Sequence, residues 1–104
     1  MLSRKTHLAM AKELREVKKV LWDGKGERDV YNYKTTNYVC LAIEDHLKLG
    51  KVSEPVANAL LEWIERQLDG TTAKNWAVRN KVFIDNYQEY RHAWVDHMIK
   101  VLES

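Results

Sequence analysis

The stretch SEPVANALLEWIERQLDG (residues 53–70) indicates the fold class most clearly. Ser53 is a favoured N-cap residue, Pro55 suits the first turn of a helix, and Gly70 suits the position just after its end. Between them, apolar residues recur at intervals of three and four, which is the pattern of a helix with one buried face. We therefore predict a helix that packs against a core through Val56, Ala57, Leu60, Leu61, Ile64 and Leu68.

Two more helices are predicted on the N-terminal side of this stretch. Residues 3–22, with Ser3 as N-cap, space their apolar side chains alternately three and four positions apart, and residues 36–50 form a second amphipathic segment. The predicted buried residues are His7, Met10, Leu14, Val17 and Leu21 in the first helix, and Val39, Ala42, Ile43, His46 and Leu47 in the second.

A last helix is predicted to open at Asp85 and Gln88, which resemble a capping box, and a short helix carrying Trp76 precedes it. The predicted apolar face of the last helix holds Tyr87, Tyr90, Trp94, Val95, Met98, Val101 and Leu102. We expect an all-α fold, a compact bundle of four main helices plus one short helix. An irregular loop, or a short extended piece within it, is expected at about residues 24–37.

Length and composition fit one helical domain spanning residues 1–104. The chain has 104 residues, is 45% hydrophobic and contains only four glycines and one proline, which is a globular profile with few helix breakers. The single cysteine, Cys40, excludes an internal disulfide framework and a cysteine-based zinc site. Because no apolar run reaches about 20 residues and no secretory signal is evident, we expect a cytoplasmic protein without a membrane segment.

The histidines and carboxylates give no catalytic or metal-binding pattern. His92 and His97 are five residues apart. Two histidines of one helix chelate a single metal ion when they are four residues apart. We expect His92 to share a solvent-exposed face with Glu89, Asp96, Lys100 and Glu103. His7 and His46 lie on apolar faces, where a histidine bonded to a carbonyl or carboxylate is predicted. The sequence therefore favours a protein that is not an enzyme and has no cofactor or metal.

Arg91 is the first candidate for a ligand-binding residue, since it projects near Trp94 on the predicted apolar face of the last helix. A guanidinium there must be paired, because burying an unpaired charge is costly. It is either a clamp that ties the helix to the bundle or the base of a pocket for an anion, with tyrosines as stacking walls. The candidate ligand-binding set is Arg91, Tyr87, Tyr90, Tyr31, Tyr33, Lys34 and Arg28.

Basic residues on the N-terminal half form the second candidate surface. Lys5, Lys12 and Lys19 recur every seven residues along the first predicted helix, and residues 25–34 continue the pattern with bases between tyrosines. Alternating basic and aromatic residues suit the binding of single-stranded nucleic acid or of other ligands that carry phosphate. A nucleic-acid-binding module that uses this face and the 24–37 loop is therefore an alternative function, although acidic residues interrupt the patch.

Three apolar residues are candidates for a contact between molecules. Trp63 lies at the flank of the predicted buried stripe in residues 53–70, and Leu41 lies on the charged side of its helix. Trp22, at the end of the first predicted helix, completes the set. Such residues are natural in a homo-oligomer or partner interface.

Three segments resemble small uncharacterised helical proteins encoded by tailed bacteriophages: residues 38–43 (YVCLAI), residues 90–94 (YRHAW) and Met98-Ile99. The resemblance brings no catalytic residues, and it implies that the protein acts by binding, for example in counter-defence. With the surplus of aromatic residues, it predicts a non-enzymatic, phage-encoded binding protein in the host cytoplasm. Its predicted action is to occupy a host protein, or to sequester an anionic small ligand.

Overall fold

A computed structural model describes residues 2–21, 35–68 and 89–104, and these segments form four helices. They are α1 (Arg4–Val20), α2 (Thr35–Lys48), α3 (Glu54–Leu68) and α4 (Glu89–Glu103). No strand occurs in the described segments, so the all-helical prediction is confirmed. The short helix predicted to carry Trp76 and the predicted opening of the last helix at residues 85–88 lie outside them. So does most of the predicted 24–37 loop, whose last three residues belong to α2.

The first helix begins and ends close to the predicted positions, for identifiable local reasons. Ser3 is the N-cap, because its hydroxyl oxygen accepts the Thr6 backbone N–H at 3.2 Å. At the other end Leu21 leaves the helix with extended backbone angles, and its N–H donates to the Lys18 carbonyl. Helix α1 therefore ends two residues before the predicted Trp22.

A glycine-dependent turn terminates α2. Gly50 has a φ of +72°, its N–H donates to the Leu47 carbonyl at 3.1 Å, and the Lys51 N–H donates to the His46 carbonyl at 2.9 Å. This pair of bonds is the Schellman motif, which satisfies carbonyls left open at a helix end. The chain then enters α3, where the Ser53 carbonyl accepts the Ala57 N–H at 2.9 Å.

The core is formed by the apolar faces of all four helices, with α1 making its most extensive contact with α4. Among the described residues, Trp94 is the largest fully buried side chain, at 1% exposure. The buried stripe of α4 also includes Ile99, whereas Val101, predicted to be buried, is 40% exposed because it lies at the edge of that stripe. The buried apolar residues are Met10, Ala11, Leu14, Val17, Leu21, Val39, Ala42, Ile43, Ala57, Leu60, Trp63, Ile64, Trp94, Val95, Met98, Ile99 and Leu102.

Ion pairs join α1 to the side of α4 that was predicted to face solvent. The Lys18 Nζ donates to Asp96 Oδ1 at 2.8 Å, and the Arg15 guanidinium bonds Glu103 at 2.6 Å. The His92 ring contacts the Leu21 carbonyl oxygen at 3.3 Å. Asp96 and Lys100 are exposed, as predicted for this side, whereas His92 and Glu103 are half-buried because this edge of α4 packs along α1.

Candidate ligand-binding cleft

The arginine and tyrosine pocket predicted from the sequence is not described by the structure. Arg91 and Tyr90 belong to α4 by their backbone, but nothing is described of their side chains. The rest of that set, Tyr87, Tyr31, Tyr33, Lys34 and Arg28, lies outside the described residues. This pocket therefore stays a prediction, and so does the choice between clamp and ligand base for Arg91.

The predicted interface residues fall in different environments. Trp63 is only 8% exposed and belongs to the core, because the apolar stripe of α3 is wide enough to include it. It therefore offers a partner little surface. Leu41 is 45% exposed, which keeps it available for contact with another molecule. Trp22 lies outside the described residues.

The basic face of α1 is largely occupied by contacts within the chain. Lys19 donates to Glu16 at 3.0 Å, and Arg15 and Lys18 bond the two carboxylates of α4 already described. Lys5 and Lys12 are exposed. Because the paired carboxylates offset three of the positive charges, this face is a weaker attractor for phosphates than the sequence indicates.

A buried pair, Glu13 of α1 and His46 of α2, is the most unusual polar feature of the described core. Nδ1 of His46 and Oε1 of Glu13 are in hydrogen-bond contact, and the two residues are 6% and 4% exposed. The sequence predicted that His46 would be bonded to a carbonyl or a carboxylate, and this is confirmed. Glu13 was missed, although its place three residues after Met10, beside the apolar stripe, is a signal of burial.

Burial is the main influence on the ionisation of Glu13. It raises the pKa of Glu13, because a desolvated carboxylate is less stable than a hydrated one. The hydrogen bond and positive charge of His46 oppose this rise, and Lys51 opposes it more weakly. The net direction is upward, so the structure holds the Glu13 carboxyl in a site that favours its protonated form more than water does.

A half-open cleft of about 350 Å³ lies beside the pair, at the ends of α1 and α2. His46 belongs both to the pair and to the wall of the cleft. Two other lining residues, Val20 and Leu49, are apolar yet 40% and 67% exposed. The lining residues are Val20, Ala42, Asp45, His46, Lys48, Leu49 and Lys51.

Two lysines give the cleft a positive side. None of the ion pairs between described residues involves Lys48 or Lys51. Asp45 is engaged in an interaction within the chain. Because the Schellman turn occupies carbonyls at the end of α2, the negative pole of that helix is partly neutralised here. The cleft can therefore hold an apolar group beside an anionic one.

The described segments offer little other chemistry. Within residues 2–21, 35–68 and 89–104, no three His, Cys, Asp or Glu side chains are placed to share a metal ion. Cys40 is a half-buried free thiol, and burial together with Glu44 and Glu65 raises its pKa to about 11, which disfavours the reactive thiolate. In the same segments, no helix combines the length and the apolar character needed to cross a bilayer.

Comparison of the chain with protein-family models, with curated proteins and with solved structures gives no match. The phage origin therefore stays a prediction from the quoted sequence segments.

Proposed function

We propose that this protein is a non-enzymatic binding protein and that the α1–α2 cleft is its binding site. One observation carries the proposal: the buried polar side chain of His46, held by Glu13, lines a concave surface on which Val20 and Leu49 remain exposed. Ligand sites typically combine apolar walls with a few fixed polar groups. A buried pair of ionisable groups beside a cleft supports the same interpretation, since such pairs stabilise folds poorly and are common at functional sites.

The cleft suits an anionic small ligand better than it suits a host protein. Its volume of about 350 Å³ is in the range of small-molecule sites, which begins at roughly 300 Å³. Lys48 and Lys51 supply the positive charge that an anion requires. In the proposed phage context, the protein would act in the host cytoplasm by sequestering such a ligand.

The proposal is tested by NMR titration of the ¹⁵N-labelled protein with hexanoate, a small acid with an apolar chain. We expect shifts concentrated in residues 42–51 and at Val20. Because Val20 and Val101 are equally exposed at 40%, Val101→Asp on α4 is a matched control for Val20→Asp in the cleft. We expect about tenfold weaker binding for Val20→Asp, since the new carboxylate repels the ligand and removes apolar contact, and no change for Val101→Asp.

Two results would contradict this assignment. Absence of any shift with hexanoate and with its neutral analogue hexanol would remove the cleft as a binding site. Equal weakening by Val20→Asp and Val101→Asp would show that the acid binds elsewhere on the surface.

Nucleic-acid binding by α1 is the alternative proposal, supported by the exposed Lys5 and Lys12. It predicts binding to a labelled oligonucleotide that falls steeply as salt rises, because each phosphate contact releases counterions. Replacing both lysines by glutamine should then reduce affinity and salt dependence together. Lack of oligonucleotide binding at low salt would exclude it.

A further inference from the structure

We infer that the cleft binds a small apolar acid together with a proton, which is held by His46 and stabilised by Glu13. This inference depends on the proposed binding function and adds to it the class of ligand and the way in which pH regulates its affinity. It rests on the double role of His46, which lines the cleft and is bonded to a carboxylate behind it.

The hydrogen bond between His46 Nδ1 and Glu13 determines whether Nε2, the other ring nitrogen of His46, can donate a hydrogen bond. When the Glu13 carboxylate accepts the Nδ1–H of a neutral imidazole, Nε2 has a lone pair and cannot donate to an anion. When His46 gains a proton, Nε2 becomes an N–H donor, and the ring carries a positive charge that faces the Glu13 carboxylate. An anion in the cleft therefore favours the protonated state of His46, and binding draws in a proton.

The charges around the pair act on the pKa of Glu13 in opposite directions: Glu16 raises it and Lys51 lowers it. Glu16 of α1 adds negative charge near both partners, and Lys51, in the turn after α2, adds positive charge near Glu13. Asp45 and Lys48 are the other charged residues of the cleft wall. Among the described residues, the main charges that act on Glu13 are those of His46, Glu16 and Lys51, which belong to α2, α1 and this turn.

The ligand class follows from the two sides of the cleft. Val20, Ala42 and Leu49 provide apolar contact for a chain or ring, while Lys48 and Lys51 complement one negative charge. An acid with a short apolar tail matches both sides, whereas a bare ion would leave the apolar surface uncovered. Carboxylates and sulfonates share this chemistry, so both serve as ligands in the test.

The test measures dissociation constants by NMR at several values between about pH 6 and pH 8. Hexanoate and hexanesulfonate stay ionised over this range, and hexanol provides the same apolar chain without charge. We expect the affinity for both anions to fall by about two- to tenfold per pH unit, the signature of up to one linked proton. The affinity for hexanol should stay constant.

Two variants identify the group that takes up the proton. Glu13→Gln keeps an oxygen that can accept the Nδ1–H but removes the negative charge, so it should move the pH dependence of anion binding to lower pH. His46→Gln should abolish that dependence. If His46→Gln does not fold, the comparison of the wild-type protein with Glu13→Gln still decides the question.

The outcomes separate this inference from the proposed function. Anion binding that is independent of pH would overturn the inference and leave the cleft as a binding site. If Glu13→Gln does not move the pH dependence to lower pH, the inference is also overturned, since a group that does not contact Glu13 would then bind the proton. If neither hexanol nor the two anions bind, the proposed function fails as well.

Discussion

Oε1 of Glu13 and Nδ1 of His46 are in contact between α1 and α2, joining residues that are 33 positions apart in the chain. Both residues are nearly inaccessible to solvent. A buried polar pair of this kind stabilises the folded state less than apolar packing would. Removal of one partner nevertheless leaves the other with a buried group that lacks its hydrogen bond. The stability of the protein should therefore respond differently to a polar replacement and to a truncation at Glu13.

We predict that Glu13→Ala lowers the free energy of unfolding by about 1–3 kcal/mol, because His46 loses its buried partner. Glu13→Gln should cost less, since its amide oxygen can still accept a hydrogen bond. The pKa of Glu13 is raised in the folded protein above the ordinary value of 4.5. The stability that Glu13 contributes is therefore present below pH 4.5 and lost as the pH rises through the higher, folded-state pKa.

Urea denaturation of the wild-type protein and Glu13→Gln, at several values from about pH 4 to pH 7, measures this effect. The stability of the wild-type protein relative to the glutamine variant should decrease toward neutral pH. A constant difference between the two proteins would show that the Glu13 pKa is not shifted by folding.

The sequence predicts the helices because their signals are local. Apolar spacing locates the buried faces of α1 and α2, and Ser3 and Gly50 mark a beginning and an end through side-chain and backbone geometry that few residues provide. The four helices and most of their buried residues could therefore be found without the structure.

The polar contacts between helices could not be predicted in the same way. Asp96 and Glu103 have the pattern of solvent-facing residues, and only the packing of α4 along α1 turns them toward Lys18 and Arg15. The cleft is equally non-local, since it joins Val20 of α1 to the end of α2. Spacing along one helix does not specify which neighbouring helix a face will meet.

Truncation of Trp63 should lower the stability of the protein much more than truncation of Leu41. Because Trp63 is buried in the core, Trp63→Ala should lower the free energy of unfolding by about 3 kcal/mol or more. Leu41→Ala, at a residue 45% exposed, should change it by less than about 0.5 kcal/mol. Urea denaturation measures both values, and similar losses for the two variants would contradict the difference in burial.

The same Leu41 remains the better candidate for a contact between copies of the chain. If such a contact forms through it, Leu41→Glu should reduce the sedimentation coefficient while the circular dichroism spectrum stays unchanged. An unchanged coefficient would exclude Leu41 from any interface between copies.

The ion pair between Lys18 and Asp96 should couple α1 to α4 only weakly. Both side chains are partly exposed, at 35% and 55%, and exposed pairs typically contribute about 0.2–1 kcal/mol. A double-mutant cycle with Lys18→Met and Asp96→Asn should give a coupling energy in that range, and 1 M salt should reduce it. A coupling energy of several kcal/mol would indicate that the pair is shielded from water.

Gly50 should be sensitive to substitution although there is space for a side chain. A Cβ atom at this position would have no heavy atom within 4 Å, so the cost of Gly50→Ala arises from the backbone φ of +72° alone. We expect a loss of about 1–2 kcal/mol for alanine and a smaller loss for asparagine, which adopts this conformation more readily. Thermal unfolding of the two variants makes the comparison, and equal losses would mean that the strain has another source.

Cys40 should react slowly in the folded protein. Its pKa of about 11 leaves roughly one thiol in a thousand ionised at pH 8, whereas an unfolded cysteine near pKa 8.5 is substantially ionised. We predict that iodoacetamide modifies the native protein at least about a hundredfold more slowly than the urea-unfolded protein at that pH, as measured by mass spectrometry. Since burial is the main cause of the raised pKa, any variant that loosens the packing around α2 should accelerate the reaction. Equal rates in the native and unfolded proteins would show that the thiol is not protected by the fold.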